Sequence, residues 1–505
     1  MLLKRDVQRF TKRPYDVLVV GGGINGAAVA HMAALNGLKV ALLEKGDFAS
    51  GTSSKSTKLI HGGLRYLENL EFGLVRESLR ERSVQLRSAP HLVHPLKFII
   101  PVYDSDKRPL WMMKLGVKLY DLLSGKHLVE KYRGLTVDEV CALVPGIARA
   151  GLAGGVMYSD AQMNDARLCL ENVLSAVEAG AHAANYVKVV AFMKENGRTV
   201  GVRAHDELGG NDLEVRAQRV VCAVGPWTNI LMRKEHGRSR ARIRPTKGVH
   251  VVFKGRIAEH AVLIPTRGDQ RIFFVIPWMG NSLVGTTDTD FTGNPDRVEV
   301  GEEDIDYLIG EAKRVLPDAK LTRDQIITSF AGLRPLVSES GAPARVSRKH
   351  VIRESYSGLI YVMGGKYTTY RKIAEDTVRR LTKKPLVETQ EEFPVYGSGK
   401  VEEDAKALSR RYGMTADAIQ ALIEFYGSRY SDVLKLVEEN SSLKAPICSC
   451  STVIRAQIVY AIRTEMARTE DDIVIRRLVL GYDECPMGEC RKAIRSILSE
   501  HYCPN

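Results

Sequence analysis

The chain has 505 residues, 44% of them hydrophobic and 26% charged, a composition that excludes disorder and collagen-like repeats and provides for a sizeable core in two or three domains. Seventy-three Lys and Arg against 60 Asp and Glu leave a formal charge of +13, which suits an anionic substrate, an anionic membrane face or nucleic acid without choosing among them. No run approaches the roughly 18 to 20 apolar residues that span a bilayer, and the opening MLLKRDVQRFTKRP has charges where a signal peptide has its apolar stretch, so a cytoplasmic protein is expected.

Asp16 to Val20 reads as a short buried strand running into Gly21-Gly22-Gly23-Ile24-Asn25-Gly26, followed by a helix rich in small residues and a second strand, Val40 to Leu43, that ends on Glu44. This β-α-β unit carries Gly21-x-Gly23-x-x-Gly26, with Glu44 18 positions after the last glycine. The first Gly permits the turn, the second admits a pyrophosphate, the third lets helix pack on strand, and the acid accepts from a ribose hydroxyl. The fingerprint indicates a dinucleotide without deciding between NAD and FAD. Next comes a hydroxyl- and glycine-rich segment, Thr52 to Gly63, containing Ser53, Ser54, Lys58, Leu59, His61, Gly62 and Gly63. It reads either as a wrap around a large cofactor or as a surface loop.

Lys107 to Arg133 carries seven Lys or Arg against two Asp or Glu, interleaved with Leu110, Trp111, Met112, Met113, Leu115, Leu119, Tyr120, Leu122 and Leu123. That mixture fits an interfacial helix on anionic lipid, or a helix whose apolar side packs on its own protein. Ala166 to Gly180 predicts a helix, Val187 to Val202 alternates, and Arg219 to Val224 is a strand closed by Gly225-Pro226. From about 241 to 345, alternating segments such as Arg271 to Trp278 predict an antiparallel sheet capping the nucleotide domain. After Pro394, amphipathic patterns over Val401 to Tyr412 and Ala416 to Phe425 predict a separate helical region. The fold class is α/β, a doubly wound sheet interrupted by insertions.

Five of the eight cysteines fall in the last 58 residues, which in a cytosolic chain points to metal or redox use sooner than to disulfides. Cys448-Ser-Cys450 is followed by Cys485-x4-Cys490, a tight chelate less usual for structural zinc, whose pairs are commonly two to four residues apart. Iron-sulfur ligation, zinc and free thiols all stay open.

Several stretches taken together, Gly21 to Glu44, Ser54 to Glu68, Ala223 to Trp227, Lys247 to His250, Gly285 to Asp288, Gly332 to Pro335 and Gly364 to Arg371, closely resemble the FAD-dependent glycerol-3-phosphate dehydrogenases over about residues 15 to 392. The resemblance implies FAD, the fold of the glycine oxidase and D-amino-acid oxidase group, and oxidation of sn-glycerol 3-phosphate to dihydroxyacetone phosphate. It implies a first unit over 1–392, FAD-binding over about 15–100, 155–240 and 346–392, with cap and membrane-facing parts over about 101–154 and 241–345. Residues 393–505 are then the helical C-terminal domain. It adds Ile24, Asn25, Gly225, Gly364, Gly365 and Lys366 to the cofactor contacts, and a peripheral seat on the inner face of the cell membrane. The cysteine pattern is similar to that of bacterioferritin-associated ferredoxins, which implies a 2Fe-2S cluster on Cys448, Cys450, Cys485 and Cys490.

A phosphate dianion is best held by planar Arg forks. Arg65, Arg334 and Arg348 stand beside Gly or Pro turns and match the family's substrate contacts, with Tyr66 as a polar wall. Removing the hydroxyl proton needs a base, for which His250 comes first and Lys366 second. Quinone, a partner subunit reached through the cluster, and oxygen all remain as acceptors, and a homodimer is left open. An oxygen-using glycerophosphate oxidase, or another amine or 2-hydroxy-acid flavin oxidase, is the alternative. No RNA or helix-turn-helix signature supports nucleic-acid binding.

Overall fold

The computed structural model describes residues 5–237, 242–266, 272–337, 349–382, 385–386, 393–483, 485 and 488–501, the side chains of Arg65, Glu68 and His236 excepted. The strand Tyr15–Val20 is buried at every position but one, as a strand covered on both faces must be. It pairs in parallel with Val40–Leu43 on one side and Asp212–Cys222 on the other. Ile360–Gly364 and His182–Ala184 extend the parallel sheet, and His350–Glu354 forms an antiparallel edge. The hairpin Val187–Glu195 and Arg198–Asp206 continues onto Asp212–Cys222. The helix Ile24–Leu35 buries Ala27, Ala28, Ala30, Ala33 and Ala34, whose short side chains let it lie close between Asp165–Glu178 and Tyr370–Leu381.

A second sheet has ten strands among the described residues and centres on Ile243–Phe253, Ala261–Pro265, Ile272–Trp278, Asn281–Gly285 and Ile326–Val337. It departs from expectation in two ways. It is mixed, because Ala261–Pro265 runs parallel to Val93–Tyr103. It also takes in Val93–Tyr103 and Leu152–Met163, which pair with one another and which the sequence divided between the nucleotide and cap parts. Ile99, Ile100 and Val102 are all buried, and a run of that kind announces a strand without naming its sheet. The helix Glu302–Val315 covers one face through Ile305, Leu308, Ala312 and Val315.

The C-terminal region is helical, with Ala405–Tyr412, Ala416–Tyr426, Tyr430–Glu439, Arg455–Thr464 and Glu489–His501 around Leu408, Ile419, Val433, Val459, Ile494 and Ile497. Asp404 and Thr415 accept from the backbone N–H groups of Ala407 and Ala418, at 2.8 and 3.2 Å, and so cap the first two helices. This region is tied to the nucleotide sheet by buried charge. Arg167 pairs with Glu465 and with Glu171, and Arg476 and Arg477 both reach Asp47.

Candidate active site

Residues from both sheets line one cavity of about 820 Å³, the kind of concave site that defaults to ligand binding. At one end, the first strand turns at Gly21, whose φ of +107° suits glycine, and where a Cβ would meet the Ala223 carbonyl oxygen at 2.6 Å. A Cβ at Gly26 would come within 1.9 Å of the Gly21 carbonyl oxygen, so the last glycine serves helix-on-strand packing as the fingerprint requires. Gly23 gives the helix N-terminus no side-chain cap. The Ile24 N–H instead donates to Ser53 Oγ at 2.9 Å, which leaves a backbone-lined, positive helix end at the cavity. Glu44 accepts from the N–H groups of Gly22 and Gly46 at 2.6 and 2.8 Å. Its burial raises the carboxyl pKa, opposed by those two donors.

At the other end, His250 and Arg334 stand on neighbouring antiparallel strands, where His250 faces Phe330 and Arg334 faces Thr246 in register. His250 Nε2 and Thr57 Oγ1 are hydrogen bonded at 3.0 Å, and the imidazole stacks on Phe330 with centroids 5.0 Å apart. Burial first, then the cationic Arg334 and Lys58, hold the His250 pKa well below its usual value, so the ring is neutral at physiological pH. The Arg334 guanidinium donates to Thr286 Oγ1 at 2.8 Å, to the Thr287 carbonyl and to Asp288 at 3.1 Å. It lies against Gly248, where a Cβ would come within 2.4 Å of Nη2. Lys366 Nζ sits 3.6 Å above the Tyr66 ring and 3.0 Å from Ser78 Oγ.

Of the residues expected from sequence, Gly21, Gly23, Ile24, Asn25, Glu44, Ser53, Leu59, His61, Tyr66, Gly225, His250, Arg334, Gly364, Gly365 and Lys366 line this cavity. Gly26, Ser54, Lys58, Gly62 and Gly63 do not. Lys58 is buried in an ion pair with Asp165 at 2.6 Å and donates to the Ser54 carbonyl at 2.7 Å. The Gly62 N–H donates to Tyr120. These residues hold the wall from behind. Arg65 begins a short helix but its side chain, like all of Arg348, lies outside the described residues. Sequence reasoning did not single out Thr57, Trp227, Lys55 or Asp296, which also line the cavity. Thr57 and Trp227 lay within motifs already noticed, whereas Asp296, which accepts from Trp227 Nε1 at 2.9 Å, comes from a loop without a signal.

The sulfurs of Cys448, Cys450, Cys485 and Cys490 all lie within 4.8 Å of one another. The four residues expected to converge do so. The expected 2Fe-2S cluster does not fit them, because two irons and two bridging sulfides must stand between the thiolate pairs, and no two of these sulfurs stand farther apart than 4.8 Å.

The pattern of the FAD dependent oxidoreductase family matches residues 16–371, and that of the C-terminal domain of alpha-glycerophosphate oxidase matches 388–501. Fold and cavity define a flavin-dependent oxidoreductase. A glycerol-3-phosphate dehydrogenase of Synechocystis sp. is 40% identical over 503 residues, covering 94% of this chain and 91% of that protein. The aerobic glycerol-3-phosphate dehydrogenase of Bacillus subtilis is 35% identical, covering 99% and 94%. The solved glycerol-3-phosphate dehydrogenase of Bacillus halodurans, complexed with FAD, is 31% identical with a TM-score of 0.81, covering 98% of this chain and 92% of that one. Glycine oxidase from Geobacillus kaustophilus, at 22% identity and a TM-score of 0.56 over 74% of this chain and 96% of its own, shares the fold. The chain belongs to the FAD-dependent glycerol-3-phosphate dehydrogenase family.

Proposed function

We propose that this protein oxidises sn-glycerol 3-phosphate to dihydroxyacetone phosphate and delivers the electrons to quinone from the inner face of the cell membrane. The observation that carries the reading is that the Arg334 fork and the Thr57–His250 pair open onto the same cavity as the Gly21–Gly26 turn. Gly21, Gly23, Ile24, Ser53 and Glu44 would hold the nucleotide end of FAD, and His61, Gly364, Gly365 and Lys366 its ring end. FAD held there would supply the two-electron acceptor that oxidation of the alcohol carbon needs. Arg334, its plane fixed by Thr286, Thr287 and Asp288, binds the phosphate in a forked contact. His250, kept neutral by burial, takes the hydroxyl proton, and Thr57 orients its ring. Lys366, engaged with Tyr66 and Ser78, positions the ring end and is the weaker candidate for the base.

The membrane reading rests on the helix Leu110–Ser124. It buries Val117 and Tyr120 but leaves Trp111, Leu115 and Leu122 at 64, 59 and 76% exposure, with Lys114 and Lys118 among them. Leu70, at 72%, and Phe72 add to the exposed apolar surface. Such a surface inserts into an anionic interface. Among the described residues no helix is long and apolar enough to cross a membrane.

The test is anaerobic: sn-glycerol 3-phosphate should bleach the flavin spectrum, a quinone analogue should restore it, and the protein should sediment with anionic vesicles. A spectrum unmoved by sn-glycerol 3-phosphate but bleached by an amine or a 2-hydroxy acid would defeat the reading. The match of 388–501 to an oxidase domain favours one second reading, an oxygen-using glycerophosphate oxidase. Fast reoxidation in air with stoichiometric hydrogen peroxide would select it.

A further inference from the structure

The cysteine site lies outside the cavity, and two local constructions build it. Cys448 and Cys450 sit on a tight loop closed by the Pro446–Ile454 bridge and by the Ile447 N–H donating to the Val453 carbonyl at 2.9 Å. The Gly488 N–H donates to the Cys485 carbonyl at 3.0 Å, and Cys490 stands in the first turn of the helix Glu489–His501. The Cys450 sulfur lies 2.9 Å from that of Cys448 and 3.6 Å from that of Cys490, and those of Cys448 and Cys490 are in bonding contact.

Three occupancies compete for such a set. A disulfide uses two sulfurs and gives no reason for the other two to converge. A two-iron cluster is too large for the space. One thiophilic ion in a tetrahedron of thiolates, with metal–sulfur bonds of about 2.3 Å, has sulfur–sulfur edges of about 3.8 Å, which Cys450 and Cys490 meet at 3.6 Å and which the Cys448 sulfur reaches by moving outward within the 4.8 Å cluster. Four soft donors exclude magnesium and calcium and select zinc among closed-shell divalent ions.

The site is also connected. Tyr482, three residues before Cys485, packs edge-on against Trp278 and Phe330 at 6.4 and 5.9 Å, and its carbonyl accepts from Asn281 Nδ2 at 2.9 Å. Phe330 is the ring on which His250 stacks. Lys58 Nζ lies 5.3 Å above Tyr482. The loop that supplies one sulfur therefore begins as the backing of His250.

We propose that Cys448, Cys450, Cys485 and Cys490 bind one zinc ion, and that this ion is a staple holding Tyr482 behind His250 and taking no part in electron transfer. Zinc has a single accessible oxidation state, so the ion acts through geometry alone.

The experiment uses the full-length, FAD-loaded protein purified without added metal or chelator. Zinc, iron and acid-labile sulfide are measured per chain, and thiols are titrated with a mercurial reagent while metal release is followed. One zinc per chain, no sulfide, and release of zinc in step with four thiols are expected. Cys485→Ser should lose the zinc and keep full FAD content, while Cys141→Ser, at a cysteine remote in sequence, keeps both. Should Cys485→Ser fail to fold, zinc stripping of the wild-type holoenzyme by a membrane-permeant chelator replaces it, with an expected fall of several degrees in Tm, flavin retained, and recovery on adding zinc alone. About two irons and two sulfides per chain, or a metal-free protein with a Cys448–Cys490 disulfide, or unaltered zinc in Cys485→Ser, would overturn the proposal.

Discussion

The guanidinium of Arg477 donates to both carboxylate oxygens of Asp47 at 2.7 and 2.8 Å, with neither side chain exposed to solvent. Asp47 lies three residues beyond Glu44 and also receives Arg476 at 2.6 Å. The C-terminal helices are thus fastened beside the nucleotide end of the cavity by a buried fork.

Breaking that fork from the carboxylate side leaves Arg476 on Asp472 at 2.6 Å and Arg477 on the Glu465 carbonyl at 2.9 Å. Asp47→Ala should cost about 3 kcal/mol, the lower end for breaking a buried pair, since the two arginines keep only part of their compensation, and chemical denaturation with a helix-sensitive probe measures it. Arg477 and Arg476 outweigh burial and hold the Asp47 carboxyl down at about 2. Its contribution is therefore complete above about pH 3.8 and is lost as pH falls through 2, because the unfolded chain binds the proton first.

Acid should weaken the protein at a milder pH as well. Burial pushes His31 and His182 down to about 4. A histidine whose folded pKa lies below its unfolded value is protonated preferentially in the unfolded chain, so stability is present above about pH 6.5 and declines as pH falls toward 4. For the buried His31 the loss is on the order of 3 kcal/mol. Tm should fall between pH 7 and 5, and His31→Leu should flatten that slope by about one proton; an unchanged slope would remove His31 from the account.

Arg334→Lys keeps the charge and loses the fork. kcat/KM for sn-glycerol 3-phosphate should drop by about 100-fold or more, about 3 kcal/mol, while FAD content stays at the wild-type level. Normal steady-state kinetics in this variant would place the phosphate elsewhere.

His250→Gln should lower kcat by about 100- to 10,000-fold, the usual share of a general base. Thr57→Val should lower it less, by about tenfold, since it removes only the hydrogen bond that orients the ring. Because burial, Arg334 and Lys58 all depress His250, the acid limb of kcat/KM should lie below pH 6.5. An acid limb at or above that value would point to a different base.

Glu44→Ala should weaken FAD retention by about 1 to 3 kcal/mol, because it removes the carboxylate proposed to accept a charge-assisted hydrogen bond from the ribose. It also leaves the Gly22 and Gly46 N–H groups without their acceptor. Flavin released on dilution and gel filtration reports the change.

Much of this was legible because the signals were local. The glycines after Tyr15–Val20 and the acid after Val40–Leu43 follow from what a turn, a close backbone approach and a helix terminus demand of neighbouring residues. The parallel edge between Ala261–Pro265 and Val93–Tyr103 was hidden, since nothing in either segment encodes its distant partner. Lys58 was misplaced for a related reason. A lysine among cofactor-segment hydroxyls looks like an anion ligand, and only the fold reveals Asp165, 107 positions away, as its partner. The cysteines converge as the ferredoxin resemblance implied, but a sequence pattern says nothing about how far apart the sulfurs sit, which is what separates one ion from a two-iron cluster.

The parallel sheet also sets a timetable for synthesis. Asp212–Cys222 pairs with Ile360–Gly364, and the loop Gly364–Thr368 completes the cavity wall. A nascent chain that has made its dinucleotide loop thus still lacks the far side of the site until the whole second sheet has emerged. Over that interval the inner edge of Asp212–Cys222 is open to wrong partners. Cofactor capture thus waits until Thr368, the last residue of the lining, has emerged, and free FAD at that moment would stabilise the newborn enzyme by binding the completed site.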